Sequence, residues 1–276
     1  MRATLTLFAI AVAAAPVHGD TLPRPVAEGG GGSVSCGAVN KGALFGALKL
    51  PERGPYHLVP EPWASRDHHY GTAELVGLIQ RAAATVNRAH PGGVLGVADL
   101  AAPLGGPVRG HRSHQSGRDA DVLYYARDAT GAPFLPDSHM PFYTGSGLAY
   151  YAYSPAWKVG IPKRYFDTAR NWALVKALLT DPQVEVERLF VGARIEYWLL
   201  RHAIRAGEPA AIVNRARAVL QQPPGVGGHM DHMHLRVACA PDDVVAGRCQ
   251  APARGRARIK RWTAACPAAG APATER

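Results

Sequence analysis

Two histidine-rich segments, more than a hundred residues apart, constrain this chain more than any other feature it has. The first runs Gly110-His111-Arg112-Ser113-His114-Gln115-Ser116-Gly117-Arg118-Asp119-Ala120-Asp121. The second runs Gly228-His229-Met230-Asp231-His232-Met233-His234-Leu235-Arg236. Residues 230–237 have the composition of a strand, and strand side chains two apart share a face. His232 and His234 should then project together while Met233 and Leu235 pack behind them. Residues 119–126 also alternate as a strand, with Asp119, Asp121, Leu123 and Tyr125 on one face and Ala120, Val122 and Tyr124 on the other. Two imidazoles on one face are part of a zinc shell, and a catalytic zinc usually takes three N/O ligands and keeps one position for water. His114 and Asp121 would supplement the pair, because Gly110 and Gly117 allow the bends that bring a loop histidine beside a strand carboxylate. One His-x-His pair alone is more often surface or packing than metal. Two glycine-flanked clusters together point to a transition metal, and imidazole with carboxylate favours zinc.

Rival active-site patterns are missing. There is no H-E-x-x-H, no Walker A sequence and no G-x-G-x-x-G. Ser146, in Gly145-Ser146-Gly147, lacks the spacing of a nucleophile elbow. Many acids are available to a glycosidase-type carboxylate pair, and none is singled out.

Periodicity places helices at about 72–89, 169–179, 194–206 and 209–220, with Thr72 as a cap for the first. Strands are expected at 94–100, 119–126, 186–191 and 230–237. A long insertion, 127–166, is rich in glycine, proline and aromatic residues. Helices and short strands follow one another without a βαβ rhythm, which predicts an α+β fold.

The amino-terminal residues read as a secretory signal: Arg2, an apolar run over 5–15, then Val17-His18-Gly19. The apolar run over 3–16 is shorter than the roughly 20 residues a membrane span needs. Cleavage is expected after Gly19, with Ala15 as the alternative. Residues 20–35 read as a flexible segment and 36–276 as a single catalytic domain ending in a basic tail, with no transmembrane segment in the mature chain. An oxidising compartment makes disulfides the expected fate of the four cysteines. Three connectivities are possible. Cys36–Cys266, tying the mature termini, and Cys239–Cys249, closing a short loop, are favoured.

The strings 112–117 and 229–236, the His114-x6-Asp121 spacing and His69-Tyr70-Gly71 before the first helix resemble the penicillin-insensitive murein endopeptidases. That family is a branch of the LAS group of zinc peptidases, and the resemblance covers roughly residues 35–240. It implies a hedgehog-like or D-Ala-D-Ala metallopeptidase-like α+β domain, with a central antiparallel sheet and surrounding helices. It implies one zinc ion per chain on His114, Asp121 and His234, with His232 as general base. His111 and His229 would orient water or stabilise the tetrahedral intermediate, and Asp119 would support a ligand histidine. The implied reaction is hydrolysis of D-Ala–meso-diaminopimelate cross-links between peptidoglycan peptide stems, in the periplasm and without a serine for β-lactams to trap. A zinc D,D-carboxypeptidase and a non-catalytic peptidoglycan-binding module are the alternatives. Lys and Arg number 31 against 21 Asp and Glu, a net charge of +10. In a secreted chain this balance suits an anionic wall polymer better than nucleic acid, which is not an expected partner. His139, in the insertion, is the other histidine most placed to reach a groove.

Overall fold

The computed structural model describes residues 32–137, 140–150, 163–223, 228–250 and Cys266. It begins with a hairpin, β1 (Val34–Ala38) and β2 (Lys41–Phe45), and then helix α1 (Ala73–Ala89). Strand β3 (Asp119–Leu123) carries the end of the first histidine segment, followed by β4 (Ala126–Arg127). The insertion contributes the hairpin β5 (Phe142–Tyr143) and β6 (Ala149–Tyr150), then β7 (Tyr165–Phe166). Helix α2 (Thr168–Leu179) leads to β8 (Val186–Phe190), α3 (Ala193–Arg205) and α4 (Ala210–Val219). The chain then forms β9 (Leu220–Gln221), β10 (His232–Val237) and the short helix α5 (Pro241–Val245). The fold is α+β.

The sheet that carries both histidine segments has the order β9-β8-β10-β3. β10 runs antiparallel to both β8 and β3, and only the edge strand β9 is parallel to its neighbour. Register does the decisive positioning: His234 lies opposite Asp121, and Arg236 lies opposite Asp119. A slip of one residue would turn every one of these side chains to the other face. That slip is opposed by burial, because Met233, Leu235, Ala120 and Val122 are at most 1% exposed in the core behind.

Helix α1 buries Leu75, Leu78, Ile79, Ala82 and Val86, the stripe its spacing predicts, and the Thr72 hydroxyl accepts from the Leu75 N–H at 3.4 Å. Fully burying side chains of this size is worth about 1.5–3 kcal/mol each, so the stripe outweighs any single cap.

Segment 94–100 differs from the expected strand: only Leu95–Gly96 is regular. Its backbone changes partners too often for one ladder. Val97 N–H donates to Leu58 O, Ala98 N–H to Asp121 O, and Leu100 N–H to His68 O. Val34 and Ser35, inside the segment 20–35 expected to be flexible, belong to β1. Ser35 N–H donates to the buried Asp243 carboxylate at 2.9 Å, tying this hairpin to α5. Both favoured disulfides are present, Cys36–Cys266 and Cys239–Cys249, with Cα separations of 6.0 and 5.9 Å. No helix among the described residues is long and apolar enough to cross a membrane.

Candidate metal centre

Three side-chain atoms converge at the β3–β10 pair. His114 Nε2 lies 3.3 Å from His234 Nδ1 and 3.4 Å from Asp121 Oδ1, and His234 Nδ1 lies 2.9 Å from Asp121 Oδ1. A tetrahedral ion with bonds of about 2.0–2.1 Å has ligand–ligand edges of roughly 3.3 Å. The triangle therefore fits such an ion with only small adjustment, and two nitrogens with one carboxylate oxygen form a suitable donor set. His111, His114 and Asp121 form an overlapping group whose ligand atoms lie within 4.8 Å of one another. The His234 set is the tighter of the two.

Each corner is held from behind. Among the described residues, His114 is one of two non-glycine residues with positive φ, at 69°, a conformation that ordinarily costs energy. Its backbone N–H donates to Asp119 Oδ2 at 3.0 Å, and its Nδ1–H donates to the Leu100 carbonyl at 2.9 Å. That second bond leaves the Nε2 lone pair facing the triangle. Arg236 donates to both oxygens of Asp119, at 2.6 and 3.2 Å. The remaining His234 nitrogen, Nε2, is 3.4 Å from Asp119 Oδ1, an electrostatic contact more than a formed hydrogen bond. Asp119 is thus buried beside both histidine corners, as expected of a supporting carboxylate.

The other three histidines flank this triangle. His232 Nδ1–H donates to Asp231 Oδ1 at 2.9 Å, so its Nε2 points inward, 3.6 Å from Asp121 Oδ1. His111 bridges two acids, with Nε2 3.1 Å from Asp99 and Nδ1 3.5 Å from Asp121 Oδ2. His229 lies against His232, with ring centroids 5.0 Å apart. All six expected site residues therefore meet in one place. His139 lies outside the described residues.

Two acids with a place here had no expected role. Asp231 belongs to the second histidine string, directly before His232. Asp99 is 2% exposed and accepts from Arg66 Nη1 at 2.7 Å as well as facing His111. A lone carboxylate within the apolar run 94–101 is the signal that would have found it, since a buried charge needs partners.

The protein's own charges sort these groups. Burial pushes the Asp121 pKa up, but the charges of His114 and His232 outweigh it and hold the carboxyl well below its usual range. Burial likewise raises Asp119, and Arg236 and His234 bring it well below normal. His234 is lowered by burial and raised more by Asp119 and Asp121, to about 9. His232 moves up for a related reason, with Asp121 and Asp231 outweighing burial. His229 goes the other way, to about 4, because burial and the neighbouring His232 and His234 all disfavour its charge. A cation in the triangle would replace the proton that Asp119 and Asp121 favour on His234.

The sequence profile of one family, penicillin-insensitive murein endopeptidase, matches residues 35–267. A protein of that description from Haemophilus influenzae is 27% identical over 237 residues, covering 86% of this chain and 74% of its own. Its counterparts from Escherichia coli O157:H7 and Shigella dysenteriae serotype 1 are 27% identical over 245 residues, covering 88% of this chain and 78% of theirs.

Proposed function

The chain belongs to the penicillin-insensitive murein endopeptidase family, and on that premise we propose that it hydrolyses D-Ala–meso-diaminopimelate cross-links of peptidoglycan with one zinc ion per chain. The convergence of His114 Nε2, Asp121 Oδ1 and His234 Nδ1 within 3.4 Å of one another carries this reading. Those three residues would hold the ion. When bound, zinc supplies Lewis acidity at the scissile carbonyl and lowers the pKa of water.

The chain's own groups do the proton work. Asp231 fixes the His232 tautomer with Nε2 free and facing inward, which suits a general base. Nε2 takes the proton of the attacking water and then delivers it to the departing amine nitrogen. His111, clamped by Asp99, orients the water, and His229, kept neutral by its surroundings, donates its N–H to the developing oxyanion. Asp119 holds His234 and the His114 backbone in place. No serine takes part, so β-lactams meet no nucleophile to acylate.

The setting is the periplasm, after removal of segment 1–19, which lies outside the described residues together with most of segment 20–35. The two disulfides favour an oxidising compartment. Residues 36–276 act as a single catalytic domain on the cross-linked peptide stems.

Mass spectrometry of cross-linked muropeptides tests the reading. The purified protein should split dimers into monomers and contain about one zinc per chain by elemental analysis. Chelation should abolish cleavage, and added zinc should restore it. Full activity in metal-free protein would sink the metalloenzyme assignment. Release of single D-Ala with dimers left intact would indicate a carboxypeptidase, and binding without cleavage a non-catalytic module.

A further inference from the structure

Helix α3 is apolar on one side, where Ile195, Leu199 and Ala203 are fully buried. Its other side carries Arg194, Tyr197, Trp198, Arg201 and Arg205, a stripe at helical spacing. Trp198, Arg201 and Arg205 of that stripe, with β4, β7 and the β5–β6 turn, line an open cavity of about 390 Å³. Arg127, Arg201, Arg205, Trp198 and Tyr165 line it, and its lining has no Asp or Glu.

The cations at this cavity differ from the chain's carboxylate-bound arginines. Arg81, Arg170 and Arg236 each meet a carboxylate at 2.5–2.8 Å. Among the described residues, Arg127, Arg201 and Arg205 form no salt bridge with a carboxylate. Arg127 lies over the Tyr165 ring at 5.5 Å, and Arg201 donates to the Tyr197 hydroxyl at 3.0 Å. Both arrangements position a guanidinium without neutralising it. Arg201 and Arg205, one turn apart, repel each other along the helix. The helix dipole accounts for a cation in the last turn, hence for Arg205. It does not account for Arg127 on a different element facing the same cavity.

We propose that this cavity is a second binding site for the polymer that the metal centre cleaves. Carboxylates of a peptide stem would pair with Arg127, Arg201 and Arg205, and a saccharide ring of the adjoining strand would rest on the Trp198–Tyr165 wall. The ligand is an acidic glycopeptide, and its identity as murein rests on the function proposed above. Charge complementarity selects the anion, and the Trp198 and Tyr165 rings in the lining select a ligand with rings as well as charge. Packing connects the cavity to the metal centre. Phe166, in the cavity wall, has its ring 5.2 Å from those of Tyr124 and Tyr143. The Tyr124 hydroxyl donates to the His229 carbonyl and Tyr143 N–H to the Met230 carbonyl, both at 3.0 Å. The cavity therefore sits one aromatic layer behind the segment that enters the metal centre.

The test compares the purified protein with R201E/R205E and R201Q/R205Q, using R53E/R88E as a control at exposed positions outside both sites. Two readouts are taken at about 0.15 M salt, where the Debye length is about 8 Å and diffuse attraction is damped. One is co-sedimentation with purified sacculi. The other is kcat/KM on sacculi relative to a sugar-free cross-linked peptide dimer. Both cavity variants should lose about tenfold in sacculus affinity, roughly 1.4 kcal/mol, and about tenfold in preference for sacculi over the dimer. The glutamate pair should be the more affected, and the control should match wild type. An unchanged preference, or an equal loss in the control, overturns the proposal. So does an equal loss of affinity for double-stranded DNA, which would make the cavity a general polyanion site. A wild-type protein that cleaves neither substrate, yet binds sacculi through these arginines, would overturn the catalytic reading and leave this one standing.

Discussion

His232 and His234 sit two residues apart on one face of β10, yet they are fastened through opposite ring nitrogens. His234 presents Nδ1 to Asp121 and keeps Nε2 toward Asp119, deep in the sheet. His232 gives Nδ1–H to Asp231 and turns Nε2 inward, with its side chain still 20% exposed. The corner around His234 is dry and braced by Asp119, Asp121 and Arg236. The flank around His232 is wetter and shares its edge with His229 and His111. Strand alternation places both imidazoles on the same side, but it is the carboxylate behind each ring that decides which nitrogen faces the centre. One ring is thereby prepared to hold a cation and the other to move a proton.

The largest effects should come from the dry corner. Asp121→Ala and His234→Ala each remove an atom of the triangle and should abolish both metal retention and hydrolysis. Elemental analysis of dialysed protein and a muropeptide assay check the two together. If His234→Ala keeps a full equivalent of metal, the triangle has been misassigned and the overlapping His111 set takes its place; retention by Asp121→Ala would exclude both sets. The next effect belongs to the wet flank. His232→Ala should retain metal and lose about 10²–10⁴-fold in kcat, the usual contribution of a general base. A parallel loss of metal would erase the distinction between the two histidines.

Much of this contrast could be read in advance, and the reasons are local. The period of two in 230–237 and 119–126 placed His232, His234, Asp119 and Asp121, because a strand's facing is set by its backbone alone. Helix α1 was legible for the same reason at a period of 3.6. The missing parts were those that depend on contacts remote in sequence. Asp99 reaches His111 only because segment 94–100 passes from one backbone partner to the next. The hairpin β1–β2 depends on Asp243, more than 200 residues away, to receive Ser35 N–H. Asp231 was visible in its string, but the choice of nitrogen it imposes on His232 is a matter of rotamer and not of spacing.

Asp119→Asn sharpens the comparison from behind the dry corner. An amide keeps the volume but loses the charge that faces His234 and pairs with Arg236. Supporting partners of this kind typically contribute 10–100-fold in metal affinity. A drop of that size in a zinc-buffered titration is expected, with activity recovering at saturating zinc. No change in affinity would mean that Asp119 merely holds the His114 loop.

The smallest effect concerns pH and separates His229 from His234 in chelated protein. His229 has a folded-state pKa of about 4, below its ordinary value of 6.5. The unfolded chain therefore binds the extra proton first, and this residue's contribution to stability falls as pH drops from 6.5 toward 4. His234 has the opposite sign: raised to about 9, it adds stability below 6.5 that is lost as pH rises through 9. His229→Gln cannot take up that proton. Its urea midpoint should fall less than that of the wild type between pH 7 and pH 5, a difference read directly by paired denaturation curves. Identical slopes would show that His229 is as free to charge as an exposed histidine, and the wet flank would then hold no neutral imidazole in reserve.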